Sequence, residues 1–280
     1  MAELLSGAPV SAAIAGDLKS RADRLREHGL VPRLALLRLG ERPDDLSYER
    51  SIARFCGRVG AEAVSIALPE DCSQTELKAQ IEAVNARTDI HGALLLRPLP
   101  ETLDEFAACE TLSPEKDVDG MGSRALGALF AGRKGAFAPC TARACLELLD
   151  YYGYGVEGKH ALVIGRGLVA GRPVGQLLLQ RNATVTLCHS HTNDLPALCR
   201  EADILIAAAG KPGLVGAEHV RTGQIVLDVG TTAADGTLLG DVRLDEVAPV
   251  VRAVTPVPGG VGAVTTAVLI RHVVEAAERI

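Results

Sequence analysis

Short apolar runs alternate with helix-period segments along nearly the whole chain, and that alternation restricts it to an α/β fold with mainly parallel sheets. Residues 32–39 (PRLALLRL) read as a buried strand, 44–59 as a helix with Pro43 just before it, and 63–68 as a second strand. Residues 73–87 read as a helix, where Ser73 and Glu76 have the spacing of a capping box. Residues 92–96 form a third strand, ending at Arg97-Pro98-Leu99-Pro100. A second series begins near residue 140. Its strands are 162–164, 184–188, 204–207 and 225–229, and a helix starts around Gly171. The glycine-rich stretch 117–140 reads as the passage between the halves, and 263–280 as a closing helix.

Composition narrows the function classes. A formal charge of −6 over 280 residues argues against nucleic acid, which needs clustered Lys and Arg. Arg21, Arg24 and Arg26 alternate with Asp23 and Glu27, the pattern of a solvated helix face. No basic leader opens the chain, and no apolar run reaches the roughly 20 residues of a membrane span, so a cytoplasmic location without a membrane partner is expected. The seven cysteines include no C-x-x-C pair, which suggests reduced thiols rather than a disulfide framework or a zinc site. His189 and His191 would share a strand face, but they lack a third ligand at clear spacing, so no metal is expected.

The strongest motif visible from spacing is 163–171 (VIGRGLVAG), in which a strand runs into Gly165, Gly167 and Gly171 and then a helix. Glycines permit the tight turn, and the N–H groups of the helix N-terminus suit a pyrophosphate. The G-x-G-x-x-x-G spacing is one residue longer than the usual fingerprint, and a glycine turn with no ligand would look similar. The next strand ends Cys188-His189-Ser190-His191 without the acid that accepts from an NAD ribose, while Arg166 offers a cation for a 2′-phosphate. NADP is therefore favoured, with NAD still possible.

Nearly end to end, the chain resembles the methylenetetrahydrofolate dehydrogenase/methenyltetrahydrofolate cyclohydrolase family. The resemblance rests on 115–120 (EKDVDG), Pro139-Cys140-Thr141, the Gly165 turn with Gly171-Arg172-Pro173, 210–213 (GKPG), Asp228-Val229-Gly230, Gly240-Asp241-Val242 and 255–262 (TPVPGGVG), in family order. It implies two domains with a cleft between them: an N-terminal αβ folate domain of 1–138 plus 263–280, and a Rossmann-type dinucleotide domain of 139–262 that forms a homodimer. It also implies that Tyr48 stands beside the folate, that Asp119 accepts from the pterin ring, and that Pro258, Gly259 and Gly260 form a loop near that ring. Thr141, Gly165, Arg166, Gly167, Gly171, His189, Ser190, Gly210 and Gly230 are the expected dinucleotide contacts.

Three positions depart from the family pattern: Ile52 where a lysine follows the tyrosine, Arg97 where the pattern has glutamine, and Ala263 in place of a proline that would restrict the loop. Four residues advance a helix by about 400°, so position 52 lies on the face of Tyr48. Arg50 and Arg54 point elsewhere, and an arginine at 97 stays protonated and makes a poor general base. Hydride transfer needs positioning rather than an obligatory acid or base. The expected activity is thus dehydrogenase with weak or absent cyclohydrolase. The competing expectations are an ordinary bifunctional enzyme, a degenerate folate- or dinucleotide-binding protein, and a pocket retuned for another one-carbon substrate.

Overall fold

The computed structural model describes residues 2–234 and 237–280. The first part of the chain holds β1 (Glu3–Leu4), α1 (Gly7–Glu27), β2 (Arg33–Leu39), α2 (Pro43–Val59), β3 (Glu62–Leu68), α3 (Gln74–Ala86), β4 (Gly92–Leu95), α4 (Glu105–Thr111) and α5 (Ser123–Phe130). Then follow α6 (Cys140–Tyr151), β5 (His160–Ile164), α7 (Gly171–Gln180), β6 (Thr184–Cys188), α8 (Leu195–Glu201), β7 (Ile204–Ala207) and β8 (Ile225–Asp228). The chain ends with β9 (Thr232–Ala234), β10 (Thr237–Leu239), α9 (Leu244–Val247), β11 (Ala253–Val254) and α10 (Gly262–Ala277). Two compact units result, one of Met1–Ala12 with Pro139–Thr265 and one of Ala13–Ala138 with Thr266–Ile280.

The first unit is built on a six-stranded sheet in the order β1-β11-β8-β7-β5-β6, parallel at every pairing. Strands β7 and β8 are buried at every position, as expected of apolar runs covered on both faces. Leu162, Ile164, Leu205, Val226 and Val254 share one core cluster. Helix α7 lies close on β6, because a Cβ on Gly175 would stand 3.2 Å from Leu187. Residues 1–12 were expected in the folate domain, yet they cluster here. The reason is pairing: Glu3 and Leu4 align with Ala253 and Val254, and Leu5 N–H donates to Val254 O at 2.9 Å. Residues 263–265 also fall in this unit.

The second unit carries a three-stranded parallel sheet, β3-β2-β4. Its central strand buries Leu34, Ala35, Leu36, Leu37 and Leu39, and α3 packs Leu77, Ile81 and Val84 against one side. The capping box forms: Ser73 Oγ accepts from Glu76 N–H, and Glu76 accepts from Ser73 N–H at 2.7 Å. Pro43 sits in the first turn of α2, and Gly60 ends it in the left-handed conformation. Arg21 reaches Glu278 with two bonds of 2.9 and 2.6 Å. The apolar C-terminal helix buries Val268, Leu269, Val273 and Val274.

Gly92, the first residue of β4, sits in tight packing. A Cβ there would lie 2.6 Å from Val118 Cγ1 and 3.2 Å from Val273 Cγ2. Neither valine methyl can swing away, so Gly92→Ala should destabilise the fold by about 1–3 kcal/mol. Urea denaturation of variant and parent will read this as a lower midpoint at unchanged slope.

Candidate functional site

The smaller-sheet unit carries Tyr48, Ile52, Arg97 and Asp119, and it joins the last two by a hydrogen bond. Helix α2 sets the first two: Tyr48 is 37% exposed, and Ile52, one turn later, is fully buried in a stripe with Phe55, Cys56 and Val59. The start of α2 is anchored by charge. Arg42 holds Asp45 through bonds of 2.8 and 3.0 Å, and Arg38 of β2 donates to Glu49 at 2.9 Å and to Gly40 O.

Asp119 is delivered by a segment docked beside β4. Ala93 N–H donates to Lys116 O at 2.9 Å, and Asp117 accepts from the N–H groups of Met121 and Gly122. Arg97, just beyond β4, donates to Asp119 Oδ2 at 3.0 Å and to Glu105 Oε1 at 3.3 Å, while Glu105 also accepts from Leu99 N–H. Burial works against the charge on Arg97, but Asp119, Cys109 and Glu105 outweigh it and raise its pKa further. The guanidinium is thus a fixed cation between two carboxylates. Beside it lies a cavity of about 20 Å³ lined by Leu37, Leu95, Cys109, Asp117 and Asp119. Burial pushes the Cys109 thiol up to about 11, so it stays protonated near neutral pH.

The larger-sheet unit holds the glycine turn. Strand β5 has β6 on one side and β7 on the other, so its carboxyl end lies at the point where strand order reverses. Gly165 takes φ +119°, and a Cβ there would stand 2.0 Å from Ala208 O; one on Gly171 would stand 2.3 Å from Gly165 O. These two glycines are demanded by backbone packing. At Gly167, in contrast, a Cβ would meet nothing within 4 Å, and Arg166 is exposed with no ion pair among the described residues. Such a turn fits a pyrophosphate, with a cation beside it for a further phosphate. After β6, His189 N–H donates to Thr192 Oγ1 and His189 Nδ1 accepts from His191 N–H, with Ser190 exposed between them. Among the described residues no group of three metal-ligating side chains stands together. Thr141 lies in the first turn of α6.

Two buried carboxylates, not singled out from sequence, organise the remaining loops of this unit. Asp241 is fully buried and accepts from the N–H groups of Ala209, Gly210 and Lys211 at 2.6, 3.0 and 2.7 Å. Asp228 is 3% exposed and accepts from Gly230, Asp241 and Val242 at 3.0, 2.9 and 2.9 Å. A Cβ on Gly230 would lie 2.3 Å from Asp241 Oδ1, and one on Gly240 2.0 Å from Asp228 Oδ2. The motifs around Gly210, Gly230 and Gly240 therefore interlock. The only signal in the sequence was an acid closing the apolar run Ile225-Val226-Leu227, a buried charge that must find donors. The loop of Pro258, Gly259 and Gly260 belongs to this unit as well. Gly7 N–H donates to Gly259 O at 2.7 Å, and Ala263 N–H donates to Gly260 O at 3.1 Å, a bond that proline could not make.

Burial pushes Asp228 up to about 6, with Asp241 adding to the rise against its three N–H donors. Its folded value lies above the unfolded one of about 3.9. The stability it contributes is present below that unfolded value and is lost as pH rises through about 6. Denaturation between about pH 4 and pH 7 should show the parent losing stability relative to Asp228→Asn by up to about 3 kcal/mol. A flat difference would exclude this titration.

Comparison with known proteins adds family to geometry. Residues 5–119 match the sequence profile of the tetrahydrofolate dehydrogenase/cyclohydrolase catalytic domain, and 139–280 that of its NAD(P)-binding domain. The bifunctional protein FolD of Carboxydothermus hydrogenoformans is 46% identical over 281 residues, covering 99% of this chain and 98% of its own. The bifunctional FolD methylenetetrahydrofolate dehydrogenase/cyclohydrolase of Campylobacter jejuni superposes with a TM-score of 0.97 at 36% identity, over 100% of this chain and 99% of its own. FolD of Trypanosoma brucei, solved with NADP and an inhibitor, gives 0.94 at 36% identity over 99% and 98%. With both profiles matched along most of its length, the chain belongs to the tetrahydrofolate dehydrogenase/cyclohydrolase family.

Proposed function

We propose that this chain oxidises 5,10-methylenetetrahydrofolate to 5,10-methenyltetrahydrofolate with NADP as acceptor and also hydrolyses the methenyl product. The observation that carries the reading is the Gly165–Gly171 turn at the strand-order reversal, in one chain with Tyr48 and the Arg97-held Asp119. When bound, the dinucleotide supplies the hydride acceptor. The chain's own work is positional. The fixed Asp119 carboxylate accepts from the pterin ring, Tyr48 stands beside the folate, and Gly165, Gly167 and Gly171 let backbone N–H groups approach the pyrophosphate. Thr141, His189, Ser190, Gly210 and Gly230 complete the dinucleotide contacts, and Pro258–Gly260 the loop near the pterin. Two copies form the working unit.

The cofactor assignment rests on Arg166 and on the absence of an acid at 188–191. A charge-assisted contact to the 2′-phosphate is worth about 1.5–3 kcal/mol. Arg166→Gln should therefore raise KM for NADP about 10- to 100-fold while KM for NAD changes little. Equal changes with both dinucleotides would remove Arg166 from this role.

Hydrolysis is favoured by relatives whose names state two activities, at 41–46% identity over nearly the whole chain. With Ile52 apolar and Arg97 permanently protonated, Tyr48 and Asp119 are the members of the set able to move a proton. A second reading, dehydrogenase alone, draws on one observation: Ile52 is fully buried where the family pattern has lysine, and Arg97 is tied to Glu105 and Asp119. Purified protein given methenyltetrahydrofolate without dinucleotide separates the two. Turnover well above the spontaneous rate is expected. Spontaneous-rate hydrolysis, raised about 10²- to 10⁴-fold in Ile52→Lys/Arg97→Gln, would establish the single-activity reading instead.

A further inference from the structure

Many arginines of this acidic chain pair with a carboxylate. Arg21, Arg33, Arg42 and Arg181 hold Glu278, Glu62, Asp45 and Asp150. One region of the smaller-sheet unit gathers several cations round a single concavity. A cavity of about 540 Å³ is lined by Arg124 of α5, by Arg133 and Lys134 of the following loop, and by Arg279 near the C-terminus, against the single acid Glu115. Arg124, Arg133 and Lys134 form no ion pair among the described residues, and neither does Glu115.

Arg279 is held without being neutralised. Its guanidinium lies 4.3 Å from the centroid of the Phe137 ring and donates to Gly135 O at 2.8 Å. Phe137 is buried and stacks on His272, whose Nδ1 is 2.8 Å from Val118 O. This cation is therefore held in place by a ring face and a carbonyl rather than by a carboxylate. Gly127 and Ala128 of α5 also line the cavity, so a ligand meets only small side chains at those positions. The volume is that of a small-molecule site. In a chain of net charge −6, an uncompensated excess of three positive charges around one concavity calls for an external counter-charge.

We infer that this cavity binds a compact polyanion, a small molecule carrying several phosphate or carboxylate groups, at a site separate from Tyr48, Arg97, Asp119 and the Gly165 turn. Guanidinium forks at Arg124, Arg133 and Arg279 suit either acceptor, and Lys134 adds a mobile point charge. Binding weakens with salt, because exposed cations are screened.

Calorimetric titration of the full chain at low ionic strength, with tripolyphosphate and separately with citrate, tests this. At least one probe is expected to bind saturably, one per chain. Affinity should fall tenfold or more in Arg133→Gln/Lys134→Gln and stay unchanged in Arg166→Gln. Saturation by tripolyphosphate alone identifies a phosphate ligand, and by citrate alone a carboxylate ligand; saturation by both supports the general polyanion site. The inference is overturned if neither probe saturates, or if Arg166→Gln weakens binding as much as the double variant does. Both exchanges of the double variant lie on an exposed loop outside the core. Unchanged thermal unfolding will confirm that any loss of binding is local.

Discussion

A carboxylate buried under 5% exposure is among the costliest groups a fold can carry, and the larger-sheet unit carries two of them side by side. Asp228 and Asp241 are tolerated because they collect six backbone N–H groups that the segments after β7, β8 and β10 would otherwise leave without partners. Each carboxylate also claims space that a side chain at Gly230 or Gly240 would fill. The loops at the carboxyl end of this sheet are thus set by an electrostatic requirement, and the shape of any ligand site there inherits it. Helix α7 and the Gly165 turn meet the same sheet end through a second constraint, the close approach of Gly165 to the backbone of Ala208.

The smaller-sheet unit solves its own charge problem differently. There one guanidinium serves two carboxylates, Glu105 and Asp119, and position 52 on α2 is handed to the apolar core. The arginine at 97 is committed to Asp119 and Glu105. Its guanidinium fixes the Asp119 carboxylate in one orientation.

What could be read from sequence follows from how local each determinant is. Strands β2 to β8 are continuous apolar runs, and the cap at Ser73 is complete within four residues, so both were visible. Strands β1 and β11 are two residues long, below any periodicity, and exist because they pair with each other across nearly the entire chain. The glycine turn was legible since its chemistry lies in nine consecutive residues. The Arg97–Asp119–Glu105 cluster was not, because its geometry depends on docking the 116–119 segment beside β4. Asp228 and Asp241 stood inside familiar motifs, but only the folded loops reveal that one accepts from the backbone of the other.

The pairing of β1 with β11 has a consequence for how the chain reaches this fold. Glu3 meets Ala253 and Gly7 meets Gly259 only by closing a loop that contains every other strand of the sheet. The entropy of that closure must be met before the two short strands gain any bond from each other. This sheet edge is therefore a contact of extreme sequence separation, and a chain that has formed the inner strands can still lack it.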